Sequence, residues 1–467
     1  MKYPSYPEYK DSRVPWLGQV PSHWEVKKLG YMAAKIGSGK TPTGGATTYV
    51  DEGVLFLRSQ NIYDSGLKLE DVVYIENDVD AEMANTRVIE NDILLNITGA
   101  SIGRSCIVPK KLPRANVNQH VCIIRQNKNC HSVFVSWVMK SICIKYQIQN
   151  AQNGAARDGL NFDQVGNLLI PLPPLEEENI IVDFLERETE RIDTLLEKKR
   201  RLIALLKEKR IAIISRTVTR GLPEDVAREF GLEPHRRFKD SGVEWLGDVP
   251  DGWKVCKLKT ITESRCDGPF GSGLKSEHYT DEGVRVVRLQ NIRFAQFDNR
   301  VAAYIDREYY QGLGDHSVIP GDVLIAGLGD ENNPVGRSCC APDNLGDAMV
   351  KADCFRFRLH RKNAYSPFIA LQLSVTANVL AGALSTGTTR GRMNLQVTAN
   401  REIGLPPFIE QTAIAIYLDR ETAKIDRLVE KVEAAIERLQ ELRSALITAA
   451  VTGKIDVRSA FPQKDVA

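Results

Sequence analysis

The chain repeats itself once over nearly its whole length, and this duplication limits its possible folds more than any other feature. The stretch Trp16-Leu17-Gly18-Gln19-Val20-Pro21 returns as Trp245-Leu246-Gly247-Asp248-Val249-Pro250, from position 16 to position 245. Leu172-Pro173-Pro174 returns as Leu405-Pro406-Pro407, a shift from 172 to 405. Solenoid repeats have periods of about 20 to 50 residues. The much longer period here indicates a duplicated domain with its connector, and two similar modules suggest a target with two parts.

Composition and charge exclude several classes of protein. The 467 residues are 43% hydrophobic and 26% charged, which is typical of soluble globular domains. The chain has no apolar run of the roughly 18 residues that a membrane span needs and no apolar stretch typical of a signal peptide. We therefore expect a cytoplasmic protein with no membrane partner. A net charge of +2 neither indicates nor excludes nucleic acid, so any DNA-binding surface must be a local patch.

Cysteine and histidine spacing gives no indication of a metal site. None of the nine cysteines lies in a Cys-x-x-Cys pair, and the seven histidines form no His-Glu-x-x-His motif. We therefore expect reduced, mostly structural thiols and no bound metal.

Each copy contains a globular part of mixed α and β structure. Short apolar runs bounded by turn residues predict strands at 54–57, 93–97 and 117–125 in the first copy, and at 284–289, 323–326 and 354–359 in the second. Helical stretches follow at 131–149 and 366–381. The order of elements is the same in both copies, as expected of a duplicated module.

Beyond each Pro-Pro pair the hydrophobic pattern changes to heptads. Apolar residues recur at alternating steps of four and three, the spacing that keeps one seam facing a partner helix. The predicted seam is Ile181, Leu185, Ile192, Leu195, Leu202, Leu206 and Ile213 in the first copy, and Ile414, Leu418, Ile425, Leu428, Val432, Leu439, Leu442 and Leu446 in the second. Packing on the globular domain and dimerisation between chains are alternatives. Antiparallel pairing within the chain is favoured because a matching helix is already present at high effective concentration.

These duplicated motifs resemble those of the specificity (S) subunits of type I restriction-modification systems. The resemblance extends from Tyr9 to about Val451. Its carriers are the Trp-Leu-Gly-x-Val-Pro openings with Trp24 and Trp253 following, the Leu-Pro-Pro segments, and the Arg-Glu-Thr-x-x-Ile-Asp segments starting at Arg187 and Arg420.

The resemblance implies a non-catalytic DNA-binding subunit with two target-recognition domains, each reading half of a bipartite sequence. It implies double-stranded DNA, two methyltransferase subunits and restriction subunits as partners. S-adenosylmethionine, ATP and Mg²⁺ are then expected only on the partner subunits, and the host is expected to be bacterial or archaeal. Because the two copies match in their framing motifs and diverge between them, we expect an asymmetric target.

The expected fold is two tandem-duplicated globular domains of mixed α and β structure joined by two long helices in an antiparallel intramolecular coiled coil. The predicted boundaries are 1–172 for the first recognition domain, 173–220 for the first spacer helix, 221–244 for a connector, 245–404 for the second recognition domain, 405–453 for the second spacer helix, and 454–467 for a tail.

Candidate DNA contacts are side chains in small-residue loops that could grip a phosphate or a base edge. Two matched loops, 154–161 and 387–394, each place arginine beside glycine. For most of these residues a purely structural role is as good an interpretation. The candidates are Arg157, Asn161, Arg390, Arg392 and Asn394, the early-loop residues Lys40, Thr41, Lys275 and Ser276, and the Gly-Arg-Ser arginines Arg104 and Arg337.

Two motifs that would indicate catalysis are incomplete. Gly39-Lys40-Thr41 resembles the end of a phosphate-binding loop, but Ala34 stands where that loop needs glycine. Leu172 and Leu405 precede the Pro-Pro pairs, where an amino-methyltransferase needs Asn or Asp. A self-contained DNA-modifying enzyme and a coiled-coil adaptor without a DNA role remain the alternatives.

Overall fold

The computed structural model describes residues 3–127, 130–152, 159–330, 332–379 and 391–459. The chain divides into two compact units. Unit 1 takes its residues from Met1–Arg200 and Glu433–Ala467, and unit 2 from Arg201–Val432. Each unit therefore contains one globular module together with a segment of each long helix.

The first copy contains fourteen strands and six α-helices among its described residues. The strands are β1 (Tyr9–Asp11), β2 (Gln19–Pro21), β3 (Glu25–Lys28), β4 (Ala33–Ser38), β5 (Val54–Leu57), β6 (Ile62–Tyr63), β7 (Gly66–Leu67), β8 (Val73–Ile75), β9 (Arg87–Val88), β10 (Ile93–Asn96), β11 (Ser105–Ile107), β12 (Ala115–Val117), β13 (Val121–Gln126) and β14 (Leu169–Leu172). The helices are α1 (Leu29–Met32), α2 (Asn77–Glu82), α3 (Ser132–Met139), α4 (Ile142–Gln152), α5 (Phe162–Gly166) and the long α6 (Leu175–Arg220).

The second copy repeats this order after a short helix, α7 (Glu224–Glu229). Its strands are β15 (Phe238–Asp240), β16 (Asp248–Pro250), β17 (Lys254–Lys257), β18 (Thr262–Cys266), β19 (Tyr279–Thr280), β20 (Val284–Val287), β21 (Tyr304–Ile305), β22 (Ser317–Val318), β23 (Val323–Ala326), β24 (Ser338–Cys340), β25 (Ala348–Val350), β26 (Cys354–Leu359) and β27 (Glu402–Leu405). Its helices are α8 (Arg307–Gln311), α9 (Ser366–Val379), α10 (Leu395–Ala399) and the long α11 (Phe408–Val451).

The two modules share the same arrangement of central strands, to which unit 2 adds the edge strand β19. In unit 1 an antiparallel sheet in the order β11-β10-β13-β4 accompanies a mixed sheet in the order β8-β5-β12-β9, in which β5 and β12 are parallel. Unit 2 has the corresponding orders β24-β23-β26-β18 and β19-β21-β20-β25-β22, with β20 and β25 parallel. The central strands β5, β10, β20 and β23 are buried along their whole length, which explains why they read as unbroken apolar runs. The predicted mixed α and β fold is confirmed.

The long helices pair in opposite directions within each unit. In unit 1 the guanidinium of Arg443 on α11 makes two hydrogen bonds of 2.9 and 3.0 Å to the carboxylate of Asp193 on α6. Further towards the start of α6, Leu185 shares a core with Ile447 and Val451, which lie nearer the end of α11. In unit 2, Arg210 on α6 donates to Asp426 on α11 at 3.0 Å. The predicted antiparallel coiled coil is therefore present in the structure.

The buried stripe of each helix follows the predicted seam except at two positions in each helix. Leu185, Leu206 and Leu439 are buried or half-buried, as expected of a seam. The exceptions are Leu195, Leu202, Leu428 and Leu442, which are 39%, 43%, 48% and 53% exposed. Their places are taken by the residues that follow them, which are Leu196, Ile203, Val429 and Arg443. Adjacent apolar residues make the hydrophobic stripe wider than the seam, so spacing alone does not choose between them.

A buried glutamate in the first turn fixes each long helix to its own module. In unit 1 the indole N–H of Trp24 and the hydroxyl of Tyr6 donate to Glu177 Oε1 at 3.1 and 2.5 Å. In unit 2 the indole N–H of Trp253 donates to Glu410 at 3.2 Å, and His235 Nε2 lies 2.6 Å from the same carboxylate. Both indoles are fully buried. Hydrogen bonds to charged groups contribute about 1.5–3 kcal/mol each, so this joint is a strong one.

The residue after this buried glutamate differs between the copies, since it is Glu178 in unit 1 and Gln411 in unit 2. Only the first of these side chains can gain or lose a proton. In unit 2, Gln411 accepts the Tyr365 backbone N–H at 2.8 Å and donates to the carbonyl oxygens of Asn363 and Pro406 at 3.0 and 2.9 Å. Glu178 stands at this place in unit 1, where it accepts the His131 backbone N–H and leaves Oε2 buried without a hydrogen bond. Because burial disfavours the charge, the pKa of the Glu178 carboxyl is raised to about 7.

We expect Glu178→Gln to remove a pH dependence from the stability of unit 1. The folded state retains a proton on Glu178 that the unfolded chain releases above its usual pKa of 4.5, so stability falls as pH rises from 4.5 to about 7. The loss amounts to about 3 kcal/mol above pH 7 and is absent in the amide variant. Differential scanning calorimetry at pH 5 and pH 8 measures it. The reciprocal Gln411→Glu should introduce the same dependence in unit 2, and equal pH profiles for wild type and both variants would exclude the effect.

Candidate nucleic-acid interface

One end of each module collects the loops that follow its central strands. In unit 1, Leu57 of β5 lies beside Val117 of β12, and Asn96 of β10 beside Val121 of β13. The loops leaving these strand ends meet there, together with the chain at 159–161, which bridges to Thr98. We call this surface the loop end of unit 1, defined as residues 39–48, 58–61, 97–104, 118–120 and 159–161.

The loop end of unit 2 is built on equivalent backbone contacts. His120 O accepts the Ile97 N–H at 3.0 Å in unit 1, and Asp353 O accepts the Gly327 N–H at 2.7 Å in unit 2. Leu160 N donates to Ile97 O in the same way as Met393 N donates to Gly327 O. We define the loop end of unit 2 as residues 267–278, 288–293, 327–330, 332–337, 351–353 and 391–394. The frame is therefore the same in both copies.

A glycine lets two loops touch at each loop end. A Cβ on Gly39 would lie 1.7 Å from the carbonyl oxygen of Val117, and a Cβ on Gly268 would lie 2.4 Å from that of Val350. No side chain fits at such distances. The two glycines are equivalent, so the chain that follows them presents Lys40-Thr41 in unit 1 but Pro269-Phe270 in unit 2.

Polar side chains form a connected chain at the loop end of unit 1. The Thr41 hydroxyl donates to Gln119 Oε1, and Gln119 Nε2 lies 3.1 Å from His120 Nε2. The other ring nitrogen of His120 lies 2.6 Å from Thr98 Oγ1. Gln119 is exposed and His120 half-buried. Amide, hydroxyl and imidazole groups of this kind can contact base edges.

Two cations flank the ring of Tyr63 in unit 1. Arg104 is exposed, and its guanidinium carbon lies 5.0 Å from the centre of the Tyr63 ring. Lys68 Nζ lies 4.3 Å from the same ring. Cation–π contacts hold both charges in place without neutralising them, so they remain available to phosphate.

The loop end of unit 2 uses different side chains on the same frame. Thr98, Gln119 and His120 have Leu328, Ala352 and Asp353 as their equivalents. The Asp353 carboxylate accepts a 3.0 Å hydrogen bond from Arg392, whose side chain is 58% exposed. Nearby, burial raises the pKa of the Asp267 carboxyl to about 6, although the backbone N–H groups of Gly268 and Asp353 donate to it.

Several of the DNA-contact candidates have structural partners. Asn161 and Asn394 accept the backbone N–H of Gln164 and Val397 at 2.8 Å and cap α5 and α10. Arg337 is buried, and it donates to the carbonyl oxygens of Leu289, Ile292, Leu328, Asn333 and Pro334. These three side chains hold the loop ends together from within.

The remaining candidates lie on the surface or outside the described residues. Lys40 and Thr41 are exposed at the loop end of unit 1, and Lys275 and Ser276 are exposed at that of unit 2. Lys275 Nζ lies 3.7 Å from the Glu277 carboxylate. Arg157 and Arg390 lie outside the described residues.

Gln119 and His120 are the residues that sequence reasoning missed. They fall inside the stretch 117–125 that predicts one strand, whereas the structure ends β12 at Val117 and begins β13 at Val121. Asn118, whose side chain accepts the His120 backbone N–H at 3.2 Å, is the turn-forming residue that could have indicated the break.

Neither a metal-binding cluster nor a membrane-spanning helix occurs in the part of the chain that the structure describes. Within residues 3–459, apart from the gaps given above, no group of three His, Cys, Asp or Glu side chains could hold a metal ion. No helix among the same described residues is long and apolar enough to cross a membrane.

We expect Gly39→Ala to destabilise unit 1 by about 1–3 kcal/mol, because the new methyl group forces the 39–48 loop away from the Val117 carbonyl. Urea unfolding, followed by tryptophan fluorescence, measures the change. Gly37→Ala is the matched control, since a Cβ there meets nothing closer than 3.9 Å. Equal midpoints for the two variants would show that the loop accommodates the methyl group.

Comparison with known proteins shows which family this chain resembles. Residues 21–204 match the family model described as Type I restriction modification DNA specificity domain. The MjaVIII specificity subunit of a type I restriction enzyme from Methanocaldococcus jannaschii is 23% identical over 449 residues, covering 94% of this chain and 95% of that protein. The EcoKI specificity subunit of Escherichia coli is 21% identical over 448 residues, covering 94% of this chain and 90% of that protein.

Solved structures share the fold. A chain from work on complex assembly and conformational transition of the type I R-M system matches with a TM-score of 0.65 and 20% identity, covering 92% of this chain and 98% of that one. Together these findings support a role in DNA sequence recognition. The resemblance of the chain to type I specificity subunits, inferred from its duplicated motifs, is therefore confirmed.

Proposed function

We propose that this chain is the subunit that selects a bipartite, asymmetric DNA sequence for a type I restriction-modification complex. Unit 1 reads one half-site and unit 2 the other. Along the chain, α6 and α11 pass from the residues of one unit to those of the other, and they set the spacer that is not read.

The observation that carries this proposal is the contrast between a shared frame and different loop ends. The backbone contacts that position the 118–120 and 351–353 turns are the same, whereas the side chains on them are Gln119 and His120 in one unit and Ala352 and Asp353 in the other. A protein that reads one sequence twice needs matching side chains at matching positions. Different side chains on one frame support two different half-sites.

The chemistry of each loop end suits DNA. The exposed Arg104 and Lys68 of unit 1 supply phosphate contacts, while Gln119 and Thr41 offer hydrogen bonds to base edges. In unit 2 the exposed Arg392 is oriented by Asp353, as a guanidinium that contacts a phosphate or a guanine needs to be.

The helices offer a surface for a partner. In unit 1 the leucines that turn away from the seam, Leu195 and Leu442, line an open apolar groove of about 510 Å³ with Ile192, Leu439 and Leu446. Exposed contiguous apolar surface on a soluble protein marks an interaction site. We assign this groove to a methyltransferase subunit, with two such subunits per chain and restriction subunits added to the complex.

The reaction chemistry belongs to those partners. The methyltransferase subunits bind S-adenosylmethionine and modify an adenine taken out of the base stack, and the restriction subunits use ATP and Mg²⁺. The role of this chain is non-catalytic, and it consists of choosing the site.

A genome-wide map of methylated adenines tests the proposal directly. Cells that express the cognate methyltransferase subunit are compared with and without this chain. We expect a bipartite motif with two different half-sites only when the chain is present, because the two loop ends carry different readers. A palindromic motif would exclude the asymmetric target. The absence of any chain-dependent motif, with both proteins expressed and associated, would favour an adaptor without a DNA role.

A second experiment tests the groove. Leu442→Glu places a charge in the apolar groove of unit 1 and should weaken methyltransferase binding at least about tenfold, because the charge must be desolvated on docking. Analytical ultracentrifugation of the co-purified complex measures the number of methyltransferase subunits bound. Ile89→Glu is the control, since Ile89 is equally exposed at 51% but lies outside the groove. Full methyltransferase binding by the Leu442 variant would remove the groove from the interface.

A further inference from the structure

We propose that Gln119 reads an adenine in the half-site bound by unit 1. This inference rests on the proposed function and adds the residue and the base to it. Gln119 lies in the loop end, on the three-residue turn between β12 and β13, and its side chain is exposed.

Both ends of the Gln119 amide are oriented by neighbours. The Thr41 hydroxyl donates to Oε1, and Nε2 donates to His120 Nε2 at 3.1 Å. Because His120 Nε2 accepts this bond, the ring proton is on Nδ1, which donates to Thr98 Oγ1 at 2.6 Å. Gln119 is therefore held by a hydrogen bond to Thr41 on the 39–48 loop and by one to its neighbour His120, which is itself bonded to Thr98 on the 97–104 loop. This support reduces the rotamer freedom lost on binding.

The amide retains the hydrogen-bonding capacity that adenine requires. A carboxamide oxygen accepts two hydrogen bonds and its nitrogen donates two, so Gln119 keeps one acceptor and one donor after the contacts with Thr41 and His120. Adenine presents an N6 donor beside an N7 acceptor in the major groove, and a glutamine amide matches this pair. Guanine presents two acceptors there and leaves the amide oxygen unpaired.

Gln60 provides the contrast within the same loop end. Its amide is also exposed, but Nε2 donates to the Asp71 carboxylate at 2.7 Å, so the side chain ties the 58–61 turn to the turn that precedes β8. Exposure alone therefore does not select Gln119. What distinguishes Gln119 is an amide held at both ends, at the oxygen by Thr41 and at the nitrogen by a histidine that Thr98 fixes in turn.

Unit 2 lacks this arrangement. Ala352 stands at the position of Gln119, and Asp353 and Leu328 replace His120 and Thr98. The adenine preference is therefore a property of one half-site, and it contributes to the asymmetry of the target.

Selection from a pool of randomised DNA duplexes tests the assignment. The full chain is used in complex with its methyltransferase subunits, and the enriched sequences are compared for wild type, Gln119→Ala, Gln119→Glu and Gln60→Ala. In Gln119→Ala we expect the preference for adenine at one position of one half-site to fall about tenfold or more, since one bidentate contact is lost. Gln119→Glu should shift that position towards cytosine, whose N4 amino group a carboxylate accepts. Gln60→Ala should enrich the wild-type motif.

The outcomes separate this inference from the proposed function. If wild type enriches no sequence at all, the proposed function fails and the inference fails with it. If wild type enriches a bipartite motif and both Gln119 variants enrich the same motif, the proposed function stands and the assignment of Gln119 is overturned. A uniform loss of affinity without a change of preferred base also overturns it, because Gln119 would then contact only the DNA backbone.

Discussion

The structure depends on the buried carboxylate at the start of each long helix. Glu177 and Glu410 lie in the first turn, where the helix dipole favours a negative charge, and each accepts the indole N–H of a buried tryptophan in its own module. Such a charge is tolerated in a core only when donors surround it, which explains why Trp24 and Trp253 follow the duplicated opening motifs so closely. The joint fixes the angle at which a module meets its helix, so loop-end changes need not disturb the helices.

Each module combines a joint that recurs in both copies with a loop end that differs between them. Buried groups that hold the frame recur in both copies, as with the Asp92–Arg125 and Asp322–Arg358 ion pairs, in which each aspartate is 1% exposed. Groups at the loop end do not recur, because a turn such as 118–120 is held by backbone hydrogen bonds that any side chain permits. Stability and specificity therefore depend on different atoms, and a half-site can change without loss of the fold.

Sequence reasoning succeeded where one periodicity dominated and failed where two patterns overlapped. Duplicated motifs and heptads predicted the tandem modules and the antiparallel helices, and the strands at 54–57 and 323–326 agree with β5 and β23. The seam was harder to predict, since Leu195 and Leu196 are both apolar and only tertiary packing determines that Leu196 is the buried one. The turn at 118–120 was not predicted because it interrupts the apolar pattern between β12 and β13 for only three residues. Contacts such as Thr41 with Gln119 join residues far apart in sequence, and no local pattern encodes them.

The difference between Glu178 and Gln411 shows how far duplicated modules can diverge without a change of fold. The pocket needs an acceptor for a backbone N–H and a donor for buried carbonyl groups, and Gln411 supplies both at every pH. In unit 1, Glu178 also accepts a backbone N–H, but its Oε2 is buried without a hydrogen bond, and burial raises the pKa of the carboxyl to about 7. Unit 1 therefore has the same fold as unit 2, but its stability depends on pH. Both units present their loop ends on the same frame, although only unit 1 places at this position a carboxyl whose protonation affects stability.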